Sequence, residues 1–200
     1  MIIGLDEAGR GSLFGRVYCA GVVLPVDFME RARAENIVIR DSKKMTPKQR
    51  EKSRGFIEKN ATVFRVAWAE RDEIDAVNIL RATMNAFHRV LDAFEPTATD
   101  RILVDGSYWV PYHDVPHECV VRGDDTVPEI ACASILAKTH RDEYVVSACD
   151  ADAALERYGL RQNKGYGTAE HLRALREHGP SEHHRRSFHP NQTGKARLLS

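Results

Sequence analysis

A chain of 200 residues, 42% hydrophobic and 29% charged, is long enough for one domain with a sizeable core. Its 29 Lys and Arg are matched by 29 Asp and Glu, and a net charge of zero argues against a protein that coats nucleic acid by bulk electrostatics. The longest apolar run, Val17 to Val26, falls far short of the roughly 20 residues that span a bilayer, so no membrane association is expected. Cys19, Cys119, Cys132 and Cys149 form no C-x-x-C pair and no hydrophobic signal region precedes the first charges, which fits a reducing, cytoplasmic setting.

In chain order, Ile2 to Leu5 is a short apolar run that reads as a buried strand, and it runs directly into two adjacent carboxylates, Asp6 and Glu7. An unpaired buried carboxylate costs several kcal/mol or more, so something must neutralise the pair. Val17 to Leu24 is rich in β-branched residues, and the glycine-rich connection before it predicts an antiparallel hairpin. Thr46 as N-cap and Pro47 at the first helical position open a charged helix to about Lys59, and Thr62 to Ala69 reads as a third strand. Val77, Leu80, Met84, Phe87, Leu91 and Phe94 recur at spacings of three and four, one apolar helix stripe that reads as core packing. Ile102 to Val104 and Glu118 to Val121 are short strands, Pro128 starts a helix to about Ala148, and Thr168 to Glu177 is a last helix stopped by Gly179 and Pro180. Early strands followed by strands joined through helices make this an α/β chain, read as one domain over residues 1–200.

Four acids occupy suggestive places on this map. Asp6 and Glu7 end the first strand, Asp105 follows Ile102 to Val104 and precedes Gly106, and Asp142 lies inside the helix that begins at Pro128. Each has an ordinary reading, Asp105-Gly106 as a turn and Asp142 as an ion pair with Lys138 one helical turn earlier. Together they supply oxygen ligands for hard cations such as Mg²⁺, and two such ions close together activate water and stabilise the leaving oxygen of a phosphodiester. Regular strand geometry sends Asp6 and Glu7 to opposite faces, so the backbone must leave ideal β geometry at Glu7 if both are ligands. Ser134, Lys138 and Asp142 share one helix face, suited to a site for phosphate and metal. From Arg161 to Ser200, eight Lys and Arg stand against three Asp and Glu, a local excess able to form a phosphate-binding surface on a neutral protein. Adjacent His183 and His184 diverge on a regular element and are not read as zinc ligands, and no phosphate-loop or dinucleotide-loop motif occurs.

Residues 4–16 (GLDEAGRGSLFGR), Asp41-Ser42-Lys43-Lys44, Ile102 to Gly106 (ILVDG), Pro128 to Asp142 (PEIACASILAKTHRD), Lys164 to Thr168 (KGYGT) and Glu182 to Phe188 (EHHRRSF) resemble, in order and over nearly the whole chain, ribonuclease HII, the bacterial type 2 ribonuclease H. The resemblance implies a ribonuclease H-like fold, with a central mixed five-stranded sheet flanked by helices. It also implies Mg²⁺- or Mn²⁺-dependent two-metal cleavage of RNA–DNA hybrids and of ribonucleotides embedded in duplex DNA, by a monomer. Carried over residue by residue, Asp6, Glu7, Asp105 and Asp142 match the metal-binding acids. Gly9, Arg10 and Gly11 match the segment whose backbone reads a ribonucleotide 2′-hydroxyl, and Tyr166 matches the tyrosine that stacks on the sugar at the RNA-to-DNA junction. Ser42, Lys43, Lys44, Ser134 and Lys138 match positions expected to touch phosphates, and Arg185 and Arg186 join them on the basic C-terminal segment from about 161 to 200.

The physical reasons for these residue types stand beside the resemblance. A 2′-hydroxyl is what distinguishes RNA from DNA, and a glycine-flanked backbone can approach a sugar closely enough to bond it. The chain departs from the family pattern at Ser12, where proline is usual, at His140, where threonine is usual, and in the aromatic stretch Tyr108 to Tyr112, which leaves loop stiffness open. It shows neither the N-terminal extension expected of ribonuclease HIII nor an obvious C-terminal clamp-binding peptide. A non-catalytic hybrid-binding module and another metal-dependent nuclease on the same fold, such as a junction resolvase or integrase core, are the rival readings.

Overall fold

The chain folds around a sheet in the order β3-β2-β1-β4-β5, seen in a computed structural model that describes residues 1–190 and 196–197. β1 (Ile2–Ala8) pairs antiparallel with β2 (Val17–Val23), and β2 pairs antiparallel with β3 (Val63–Ala69). On its other side β1 runs parallel to β4 (Arg101–Asp105), which runs parallel to β5 (His117–Val120). The sheet is therefore mixed, with the early meander that the sequence predicts; β4 is reached through helices, but β5 follows it across residues 106–116 with no helix, against the expectation that the later strands are joined that way.

Alternation along β2 builds both cores. Val17, Cys19 and Val23 join one cluster while Ala20 and Val22 join the other. The first face is covered by α4 (Ile79–Asp92), whose Phe87, Val90 and Leu91 are buried there. The second is covered by α1 (Phe28–Ala34), α2 (Pro47–Asn60) and the 24-residue α6 (Pro128–Ala151). Cys132, Ala133 and Ala137 let α6 lie close to the sheet, and Gly4 completes the fit, because a Cβ there would stand 2.4 Å from the Glu129 backbone of α6. Thr46 caps α2 through a reciprocal capping box with Gln49.

One stripe differs from its expected course. Asn78 adopts φ 69° and accepts a hydrogen bond from the Arg81 N–H, so it ends α3 (Arg71–Val77) and starts α4 instead of lying inside one helix. Ile79 and Ala82 then face the core while Val77 is exposed, and the expected phase holds only from Met84 onward. The sequence also yields no sign of the shortest elements, α5 (Gly123–Thr126) and α7 (Leu160–Asn163). The aromatic stretch after β4 is packing: Trp109 meets Phe87 and His88 edge-on, and the Tyr112 hydroxyl donates to Asp92 at 2.8 Å. His140 faces Glu58 at 3.1 Å.

A third, smaller cluster joins the far end of α6 to the C-terminal helices, with Phe14, Val145, Cys149, Tyr158, Leu160 and Ala174 at its centre. It includes residues of a 3₁₀ segment (Ala153–Tyr158), α7 and α8 (Ala169–His178). β6 (His189–Pro190) and β7 (Ala196–Arg197) pair antiparallel beyond it. The remaining residues of the basic segment, 191–195 and 198–200, lie outside the described residues.

Candidate metal centre and nucleic-acid interface

Parallel pairing sets Leu5 beside Val104, so the next residues, Asp6 and Asp105, emerge together where the pairing of β1 with β4 ends. Asp105 Oδ1 accepts the Gly123 N–H at 2.8 Å, which draws the start of α5 onto β4 and brings Asp124 in as a third acid. Carboxylate oxygens of Asp6, Asp105 and Asp124 all lie within 4.8 Å of one another. Asp6 is only 2% exposed and Asp124 only 5%. One Asp6 oxygen accepts the Glu7 N–H at 2.7 Å, but the other, Oδ2, is buried without any hydrogen-bond partner among the described residues. Burial, then the charges of Glu7 and Asp105, push the Asp6 carboxyl well above the usual range. Burial and Asp105 raise Asp124 likewise, with Lys43 opposing from 3.6 Å.

This donor set fits a hard divalent cation: it is all oxygen, crowded, buried and short of positive charge. Asp124 is the residue that sequence reasoning missed. Its only signal was an acidic pair, Asp124-Asp125, after Arg122-Gly123 and just before the proline that starts α6. Asp142, expected as the fourth ligand, lies outside the cluster; Lys138 Nζ holds it at 2.8 Å, the helix ion pair that its spacing allows. Glu7 also stays out of the close group and accepts from Arg10 at 3.1 Å. Pairing of β1 with β2 continues unbroken through Ala8, so the backbone leaves β geometry not at Glu7 but at Gly9, with φ 96°. Glu7 therefore stands at the rim, close enough to Asp6 to be felt.

Beyond Ala8 the chain enters a loop held almost entirely from behind. Arg185, expected on a phosphate-facing surface, is 3% exposed and spends its guanidinium on four loop carbonyls. It donates to Gly15 at 2.8 Å, to Arg10 at 2.9 Å, to Ser12 at 2.7 Å and to Arg16 at 3.0 Å. Direct phosphate contact by Arg185 is thus replaced by support of the Gly9–Gly11 segment, whereas Arg186 is exposed. Ser12 is no loosening of the loop: its hydroxyl takes a 2.7 Å bond from the buried Arg141 and lies 3.0 Å from the Gly165 carbonyl. A Cβ on Gly9 would stand 2.2 Å from Arg141 Nε, so glycine is required by the close approach as well as by its φ.

The same contacts bring in Tyr166. Leu13 N–H donates to Gly165 at 2.8 Å, and Ser12 bridges to Tyr166. The half-buried Tyr166 ring has Lys138 5.4 Å and the Arg141 guanidinium 5.1 Å from its centre. It borders a groove of about 860 Å³ lined also by Arg50, Arg54, Lys138, Asp142 and Lys164. Ser42 and Ser134 are both buried and share a 2.9 Å hydrogen bond, so they steady the 3₁₀ turn Ser42–Lys44. Lys43 projects from that turn with its side chain 72% exposed, while Lys44 is paired with Asp125 at 2.6 Å.

Known proteins resemble this chain over most of its length. The family profile described as Ribonuclease HII matches residues 3–191. A ribonuclease HII of Christiangramia forsetii is 42% identical over 189 residues, 94% of this chain and 89% of that protein. One from Bacteroides thetaiotaomicron is 42% identical over 195 residues, 98% of this chain and 92% of its own length. Among solved structures, the RNase HII of Archaeoglobus fulgidus, determined in complex with PCNA, superimposes with a TM-score of 0.76 at 21% identity, covering 96% of each chain. With profile and relatives both spanning most of its length, the chain belongs to the ribonuclease HII family and is a hydrolase of the ribonuclease H class.

Proposed function

We propose that this chain cleaves the RNA strand of RNA–DNA hybrids and cuts on the 5′ side of a single ribonucleotide embedded in duplex DNA, leaving 3′-hydroxyl and 5′-phosphate ends. The observation that carries the reading is the buried, partnerless oxygen of Asp6 inside a cluster of three carboxylates, on the strand that runs into the Gly9, Arg10 and Gly11 loop. Asp6, Asp105 and Asp124 would hold the divalent cation, with Glu7 at the rim. When bound, Mg²⁺ or Mn²⁺, as a pair in the two-metal arrangement, supplies an activated water and charge stabilisation for the departing oxygen.

The remaining residues bind and orient. The Gly9–Gly11 backbone, fixed from behind by Arg185 and Arg141, presents amide groups to a ribose 2′-hydroxyl. Tyr166 offers its ring face to the sugar at the RNA-to-DNA junction, braced by Lys138 and Arg141. Lys43, exposed beside the acids, meets the phosphate next to the scissile bond, and the cations of the groove beyond Tyr166 follow the backbone away from it. Asp142 serves by holding Lys138 in place. The protein works as a monomer in the cytoplasm, a reading supported by four unpaired cysteines; no described helix is long and apolar enough to cross a membrane.

The test is cleavage of a duplex carrying one ribonucleotide, beside a duplex carrying a run of several. Cutting 5′ of the single ribonucleotide, lowered by Tyr166→Ala well beyond any loss of binding, is the expected result. A requirement for a run of ribonucleotides would sink the junction reading, and binding of both duplexes without cleavage in either metal would leave a non-catalytic module.

A further inference from the structure

Behind Tyr166 lie two histidines that no part of the proposed chemistry uses. His171, from α8, is fully buried and His184 is 2% exposed, and their Nε2 atoms stand 2.9 Å apart. The other ring nitrogens decide where the protons are. His184 Nδ1 receives the Ser181 backbone N–H at 3.0 Å and faces the Ser181 hydroxyl at 2.8 Å, so it carries no proton. His171 Nδ1 lies 3.0 Å from the Tyr166 carbonyl, which can only accept, so it carries one. A single arrangement of neutral rings satisfies all of these bonds. Ser181 N–H donates to His184, His184 Nε2–H donates to His171, and His171 Nδ1–H donates to Tyr166. A further proton on His171 would set two N–H groups against each other at the shared contact, and one on His184 would do the same against the Ser181 N–H.

The pair joins the two segments assigned to substrate. His184 bridges to Phe14, His183 accepts the Gly15 N–H and Arg185 donates its backbone N–H to Leu13, so the 181–185 segment carries the loop that follows Gly9–Gly11. His171 carries Tyr166, whose carbonyl also receives the Thr168 N–H. Around the rings stand Tyr158, with ring centres at 4.7 Å and 6.1 Å, the edge of Phe14 and the neighbouring His183. No carboxylate is among the groups that shift either ring, and burial holds both below the ordinary imidazole range.

We infer that His171 and His184 are positioning residues: a pair of neutral imidazoles of fixed tautomer that sets the placement of Tyr166 relative to the Gly9–Gly11 loop. The inference rests on the reading of Tyr166 as the group that meets the junction sugar. Its test exploits the two amides that each mimic one imidazole nitrogen. His171→Asn keeps a donor where Nδ1 reaches Tyr166, and His171→Gln keeps only the group that faces His184. Cleavage at a single embedded ribonucleotide should fall on the order of tenfold or more in kcat for His171→Gln, with smaller change in KM, and should stay near the unchanged protein for His171→Asn.

Nitrogen NMR of the unchanged protein, which needs no variant to fold, should show a neutral Nδ1–H tautomer for His171 and a neutral Nε2–H tautomer for His184 across about pH 5 to 8. A charged ring in that range, or equal losses in the two His171 variants tracking their thermal stability, overturns the positioning role. If Tyr166→Ala cuts the junction as well as the unchanged protein, the reading of Tyr166 falls and this inference with it. If Tyr166→Ala is impaired and His171→Gln is not, the histidine pair alone is refuted.

Discussion

Two polar clusters flank the start of the loop at Gly9, and they are built in opposite ways. In the acidic cluster, three carboxylates crowd within 4.8 Å with one oxygen unpartnered and little positive charge nearby. In the cluster behind the loop, Arg185 makes four hydrogen bonds, Ser12 makes bonds to two segments and the histidine pair leaves no ring nitrogen idle, while Arg141 gives Nη2 to Ser12 and keeps Nε and Nη1 without a hydrogen-bond partner among the described residues. An unsatisfied buried group is costly and survives where something outside the chain completes it, whereas a satisfied network fixes geometry. On the proposed function, the first cluster is where chemistry is done and the second holds the substrate-reading groups still.

The largest effect expected on this contrast comes from the acids. Asp6→Asn or Asp124→Asn should cost several kcal/mol of transition-state stabilisation, a hundredfold or more in rate on the order-of-magnitude scale, yet raise the melting temperature of the metal-free protein by relieving charge repulsion. Added Mn²⁺ should stabilise the unchanged protein by about 2.7 kcal/mol at a hundred times its Kd and these variants far less. Asp142→Asn is the control: metal-induced stabilisation should survive, because this carboxylate answers Lys138 and not the cluster. Calorimetry with and without metal, beside a cleavage assay, reads all three variants. Equal loss of metal stabilisation in Asp142→Asn would return that residue to the ligand set.

Removal of one partner from the satisfied side should act through stability first. Arg185→Ala strips donors from four buried or partly buried carbonyls, at about 1–3 kcal/mol for a group left wholly unpaired, so a loss of roughly 3 kcal/mol in denaturant unfolding is expected. Arg186→Ala, on an exposed side chain, should change stability by less than about 0.5 kcal/mol and weaken duplex binding alike for all sequences. Similar destabilisation by both would erase the distinction between the two arginines.

Smaller than the Arg185 loss, taken per pH unit, is acid sensitivity. An unfolded histidine takes up a proton below about pH 6.5, whereas burial lowers folded His171 and brings His184 down to about 3. Between those values the unfolded chain binds more protons than the folded one, so stability falls as pH drops through this window, by up to about 1.4 kcal/mol per unit for each histidine. Unfolding midpoints against pH measure the slope, and His184→Gln should flatten it.

Much of this was legible in sequence because local rules and global packing agree. The Thr46-Pro47 helix start, the hairpin of β1 and β2 and the small residues of α6 obey nearest-neighbour chemistry, and the fold repeats them. Asp6 and Asp105 were readable as acids at the ends of buried strands. Asp124 was not, since its place depends on the Gly123 N–H reaching Asp105, a contact no periodicity encodes. Asp142 misled because a helix face shared with Ser134 and Lys138 says which residues are neighbours, not which end of the sheet they face. Arg185 misled for the same reason: basic runs are usually solvated, and only the tertiary contact shows that this one lies beneath a loop.

The parallel pairing of β1 with β4 also has a consequence in time. Asp6 and Asp105 are brought together across a stretch of chain that includes two strands and four helices, and Asp124 joins them later still. Closing a loop of that length precedes any reward from the contacts it brings, so the site is among the last features a folding chain can complete. A nascent chain emerging from a ribosome can form the β1–β3 meander early, but it cannot assemble this carboxylate cluster until β4 and α5 have followed. On the proposed function, nuclease competence therefore waits until β4 and α5 have been made.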